Sequence, residues 1–162
     1  MAATASAQRP AFGLPGRIQA PNSRPRSIAL VGLGRGGAAI ARGLDRSALG
    51  DVQVEVFASE RAVSEDALAT IKSDGDDLHR ALRDADMIFV VAREGDDVGL
   101  VPVVSRIARG RHVQVTAIYI TRGEPAGTGE DERLATLRTD VHMLVVATDE
   151  SYVAAMVAAL GG

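Results

Sequence analysis

Residues 85–92 read Ala-Asp-Met-Ile-Phe-Val-Val-Ala, an apolar run from Met87 to Ala92 with no polar alternation. A strand with one wet face alternates. An unbroken one is buried on both faces, which places it inside a mostly parallel sheet covered by helices. The next residues, 93–99, read Arg-Glu-Gly-Asp-Asp-Val-Gly and lead into a helix. In α/β domains such a junction, at the carboxyl edge of the sheet, is where phosphate ligands sit. Here the loop brings Glu94, Asp96 and Asp97, which have the same sign of charge as a phosphate.

The rest of the chain alternates in the same way. Ser27 to Val31 is a short strand ending at Gly32, and Gly36 to Leu44 a helix with Ile40 and Leu44 four residues apart. Val52 to Phe57 is a second strand. A weak helix around Leu68 and Ile71 is broken at Gly75 and resumes over residues 76–83. The 87–91 strand follows, then a helix with Pro102 in its first turn, where proline is tolerated. Val113 to Ile120 is a strand, Glu130 to Arg138 a helix, Met143 to Ala147 a strand, and Ser151 to Leu160 a helix ending at Gly161. Strand–helix alternation of this kind predicts a three-layer, Rossmann-like α/β domain over residues 27–162, with helices on both faces of the sheet.

Composition removes several function classes. The chain has no Cys, which excludes disulfides, a thiol nucleophile and Cys-ligated metal. With no Trp, three Phe and two Tyr, the core must be aliphatic and no basic–aromatic patch points to nucleic acid. A net charge of -3 adds no pull toward nucleic acid either. His79, His112 and His142 lie on separate elements and form no metal-binding pair. Ser59, Ser105 and Ser151 lack the G-x-S-x-G elbow of a nucleophilic serine. Asp74, Asp76 and Asp77 flank Gly75 without calcium-loop spacing and read as a turn with a helix cap. No apolar run is long enough to span a membrane, and the expected location is the cytoplasm. Residues 1–26 hold Arg9, Arg17, Arg24 and Arg26, four prolines and no acid. They read as a disordered basic tail, with a transit peptide or a partner-binding arm as alternatives.

The other candidate site is Gly32-Leu-Gly-Arg-Gly-Gly37, which fits G-x-G-x-x-G through Gly32, Gly34 and Gly37 after the first strand. One reading is a phosphate cradle in which Gly32, Gly34, Gly36 and Gly37 let the backbone close on an anion and Arg35 adds charge. The other is a tight strand-to-helix turn with no ligand. The G-K-[ST] sequence of a P-loop is absent. A dinucleotide reading also needs an acid at the tip of the second strand for a ribose hydroxyl. Glu55 lies within the strand, and Glu60 falls a few residues late.

Five segments, in order, resemble the FtsZ/tubulin family of GTPases. Ile28-Ala-Leu-Val-Gly-Leu-Gly-Arg-Gly-Gly-Ala38 is similar to the family's opening strand and glycine loop, and Ala85-Asp-Met-Ile-Phe-Val90 to its "ADMVFV" strand. Val101-Pro-Val-Val-Ser-Arg-Ile-Ala108 resembles the helix after that strand. Val115-Thr-Ala-Ile-Tyr-Ile-Thr-Arg122 resembles the "TVGVVTRPF" strand, and Leu137-Arg-Thr-Asp-Val-His-Met-Leu-Val-Val-Ala-Thr-Asp149 resembles the family's L-R-x-x-V-D-x-L-I-V-I-P-N-D segment. The resemblance implies GTP or GDP as the ligand class. It adds Gly95 and Gly99, in the loop equivalent to the family's phosphate loop, and Arg122 and Glu124, near its ribose and base, as nucleotide-binding candidates. The departures point the other way. The family's G-G-G-T-G-T-G loop is replaced by the shorter, acidic 95–99 segment, whose Asp96 and Asp97 are expected to cap the helix that follows. The family's long central helix, catalytic-acid loop and second domain have no counterpart in these 162 residues.

The resulting expectation is an FtsZ-like domain that does not hydrolyse GTP. It would act as a regulatory, scaffolding or assembly protein with a protein partner or another copy of itself, and with residual nucleotide binding open. The alternative is a small NAD(P)-binding Rossmann protein or oxidoreductase component. The apolar face of the last helix suits packing on its own sheet better than oligomerisation.

Overall fold

The computed structural model describes residues 26–60, 77–123 and 128–161. They form a five-stranded, all-parallel sheet flanked by helices: a Rossmann-like α/β fold. In chain order the elements are β1 (Ser27–Leu33), α1 (Gly34–Arg42), a 3-10 turn (Arg46–Leu49), β2 (Gln53–Ser59), β3 (Met87–Arg93), α2 (Val101–Gly110), β4 (Gln114–Ile120), α3 (Thr128–Asp140), β5 (Met143–Ala147) and α4 (Ser151–Gly161). Residues 77–82 are helical as well. Leu68, Ile71 and the Asp74–Asp76 turn lie outside the described residues, as does the tail before Arg26.

The strand order is β2-β1-β3-β4-β5. β1, β3 and β4 are interior, and these are the strands buried on both faces along almost their whole length. Side chains of each go alternately to two cores. Ala29, Val31, Ile88, Val90, Val115, Ala117 and Tyr119 face α2, α3 and the 77–82 segment. Ile28, Leu30, Phe89, Val91, Ile118 and Ile120 face α1, the 3-10 turn and α4. Leu78 and Leu82, spaced by four, are both buried. Val153 and Val157 seat α4 on the sheet, as its periodicity predicts.

Two boundaries differ from expectation in ways that matter for the site. β1 runs through Gly32 to Leu33, and α1 starts at once at Gly34, so the glycine loop has almost no loop in it. β2 runs to Ser59 because pairing with β1 carries it past its apolar residues, with Leu33 opposite Ser59. Glu60 therefore sits directly at the strand tip rather than a few residues beyond it.

Candidate functional site at the carboxyl edge of the sheet

The chain leaves β1 for β2 on one side and returns to β3 on the other. The carboxyl ends of β1 and β3 therefore form the topological switch point, the usual ligand crevice of an open α/β sheet. The 32–37 glycines and the 93–99 acidic loop meet there.

The loop after β3 is built by a tight turn. Asp96 N–H donates to the Arg93 carbonyl at 2.9 Å, and Gly95, third in the turn, has φ of +89°. A type II turn needs positive φ at that position, which explains Gly95 without a ligand. The turn folds the Asp96 side chain back over the strand end, where its Oδ2 accepts the Arg93 N–H at 2.7 Å. The same carboxylate reaches across to the neighbouring strand's helix. Gly36 N–H donates to Oδ1 at 3.0 Å and Gly37 N–H to Oδ2 at 2.7 Å. Asp96 is buried.

Helix α1 has no cap of its own: Leu33 occupies the N-cap position, and its first turn contains no acid. Asp96 supplies both the cap and the negative charge that the N-terminal N–H groups favour. This corrects the expectation that Asp96 and Asp97 cap the following helix. Asp97 Oδ1 accepts the Gly99 N–H at 2.7 Å in the connecting loop, and α2 begins two residues later with Leu100 at its N-cap.

The glycines are then accounted for by close packing. A Cβ at Gly32 would lie 2.7 Å from Ala41 Cβ, and one at Gly37 would overlap the Val91 carbonyl. Gly34, at φ +68°, would put a Cβ 2.5 Å from Asp96 Cγ, and Gly36 would put one 2.8 Å from Asp96 Oδ2. Two of these contacts weld α1 to the sheet, and two make room for the carboxylate.

An oxyanion bound at this helix start would need the N–H groups of Gly36 and Gly37 and would stand within hydrogen-bond reach of Asp96. Like charges about 4 Å apart repel by about 4 kcal/mol at an effective dielectric near 20. A helix N-terminus returns at most about 2 kcal/mol. With Asp96 in place, repulsion outweighs the helix dipole.

The sequence candidates divide between two depressions. Gly34, Arg35, Gly95 and Gly99 line a cleft of about 640 Å³ that also meets Glu60 and α3. Gly36 and Gly37 bond to the Asp96 carboxylate, and Gly32 is buried in β1. Arg122 lies apart, beside Arg93, Thr121 and Glu150 in a second depression of about 470 Å³, with its N–H donating to Glu94 Oε2 at 2.9 Å. Glu124 is outside the described residues. Arg93 forms an ion pair with Glu150, and Arg42 forms one with Glu60. Among the described residues no cluster of His, Asp and Glu has the arrangement of a metal site.

Asp149, beside the second depression, accepts the Ser151 N–H at 2.9 Å at the start of α4. The Ser151 amide, then its hydroxyl, hold the Asp149 carboxyl below its usual range. The Ser47 hydroxyl and amide do the same for Asp45 at the 3-10 turn. A depressed folded-state pKa adds stability above the unfolded value of 3.8, lost as pH falls through the lower folded value. On acidification from about pH 5 to about pH 3, the melting temperature of wild type should fall more steeply than that of the double variant Asp45→Asn/Asp149→Asn. Parallel curves would contradict these caps.

No protein-family model matches this chain, and no curated protein matches it in sequence.

Proposed function

We propose that this chain is a nucleotide-fold domain that does not turn over GTP and works through its protein surface, as a regulatory or assembly component. One observation carries the reading: the Asp96 carboxylate bonds to the α1 N–H groups that a phosphate would need. The glycines of the fingerprint support it too, since each has a packing reason to be glycine. The resemblance to the FtsZ/tubulin family supplies the ancestry of the fold in this reading. The acidic 95–99 loop supplies the reason hydrolysis is lost.

Calorimetric titration of the full chain with magnesium GTP and GDP tests this. The expected result is no saturable binding tighter than about 1 mM and no phosphate release. Micromolar binding, or release of phosphate, would overturn the proposal.

A second reading keeps a dinucleotide in the cleft. It rests on Glu60, which stands at the tip of β2 and lines the same cleft as Gly34 and Arg35. That is the place from which an acid reaches a ribose hydroxyl. NADH and NADPH belong in the same titration. Saturable binding that Glu60→Gln weakens would favour this reading over the first.

A further inference from the structure

Among the described residues, the large apolar side chains that stand exposed fall in one stretch of chain: Met143 at 43%, Val146 at 48% and Tyr152 at 42%. The first two belong to β5, an edge strand, and the third opens α4. The other edge strand is different: Gln53 and Glu55 are its exposed residues. Polar and charged residues of this kind are how natural sheets protect an edge from pairing. β5, Met-Leu-Val-Val-Ala, contains no charge, proline or glycine.

The direction of the backbone groups on β5 is fixed. Glu94 N–H donates to the Ile120 carbonyl, so even-numbered residues of β4 turn toward β3 and odd-numbered ones toward β5. Ala117 is opposite Leu144, and Thr121 N–H donates to the Ala147 carbonyl. Met143, Val145 and Ala147 therefore aim their N–H and C=O groups at β4, and Leu144 and Val146 aim theirs at the free edge.

The geometry points to a second copy of this chain pairing antiparallel with β5 about a two-fold axis at Val145. Such an interface is self-complementary by symmetry. Leu144 of one copy exchanges both backbone bonds with Val146 of the other, and Val146 with Leu144. Those are the residues whose groups face outward. The side chains match as well. Leu144 meets Val146 on one face of the joined sheet, and on the other Met143 meets Ala147 while the two Val145 side chains adjoin. Both faces are apolar across the seam, so Val146 and Met143 lose their exposure.

The polar groups at the strand ends agree as well. The two-fold brings the exit of one β5, with Asp149, beside the entry of the other, with His142. His142 Nδ1 accepts the Val115 N–H at 3.0 Å, which leaves Nε2–H as a donor. Asp140, the acid at that end, has Arg109 4.0 Å away. This pairing is independent of what the glycine loop holds.

Sedimentation of the full chain tests it. Wild type should run at twice the 16.9 kDa chain mass at micromolar concentration, and Val146→Pro at one chain mass. Proline removes an N–H that only the dimer uses, and edge strands tolerate it where the N–H faces outward. Val146→Lys, at an exposed position, should halve the mass too and decides the matter if the proline variant melts without cooperativity. Amide exchange at Leu144 and Val146 should speed up on dilution of wild type. Wild type at one chain mass throughout, or folded Val146→Lys at twice that mass, would overturn the pairing.

Discussion

Gly37→Ala is expected to destabilise the domain by about 3 kcal/mol or more, because the new methyl group has nowhere to go. A Cβ at Gly37 would overlap the Val91 carbonyl oxygen and lie 3.0 Å from its carbon. Both are backbone atoms of the central strand β3, so no side chain can rotate away. Relief requires α1 to lift off the sheet, which also breaks the Gly37 N–H bond to Asp96. Gly110→Ala is the matched control: nothing lies within 4 Å of a Cβ there, and it should be neutral or stabilising by less than about 1 kcal/mol. Urea denaturation of the two variants measures the difference. Equal stability would mean that the glycine at position 37 is kept for something other than packing.

Asp96→Ala is expected to cost about 3 kcal/mol for a different reason. It leaves the Gly36, Gly37 and Arg93 N–H groups without their acceptor. Bonds to a charged partner contribute about 1.5–3 kcal/mol each, and water entering the vacated space recovers part of the loss. Asp96→Asn is expected to fall between alanine and wild type, since its single carbonyl oxygen can replace one acceptor while its NH₂ faces a donor. Denaturation curves read this order directly. An alanine variant as stable as wild type would show that the carboxylate does not hold α1. In the same variant the helix start loses its resident negative charge, so any weak affinity for inorganic pyrophosphate should rise, never fall.

The fold was readable because its evidence is local. The unbroken Met87–Ala92 run could only be an interior strand, and β3 sits between β1 and β4. Leu78 and Leu82, four apart, mark a helix face, and both are buried. β2 extends past its apolar pattern because its last residues, Ala58 and Ser59, carry no strand signal of their own and join the sheet only by pairing with Gly32 and Leu33. The role of Asp96 was out of reach for a related reason. Its bonds to Gly36 and Gly37 span 60 and 59 residues and exist only because β1 and β3 are neighbours. The sequence did hold a clue: α1 starts without Ser, Thr, Asp or Asn at its cap and without an acid in its first turn. A helix left so bare needs a partner from elsewhere.

Whether the Gly36 and Gly37 amides are committed to Asp96 decides whether this helix start can take a phosphate. Their resonances in the ¹H–¹⁵N spectrum of the full chain, followed while magnesium GTP is added, report this most directly. The expected result is that neither moves as nucleotide is raised to millimolar levels, while both move in Asp96→Ala without nucleotide. A saturable shift of both amides in the wild-type chain would mean that phosphate displaces the carboxylate and that the helix start is a working nucleotide site.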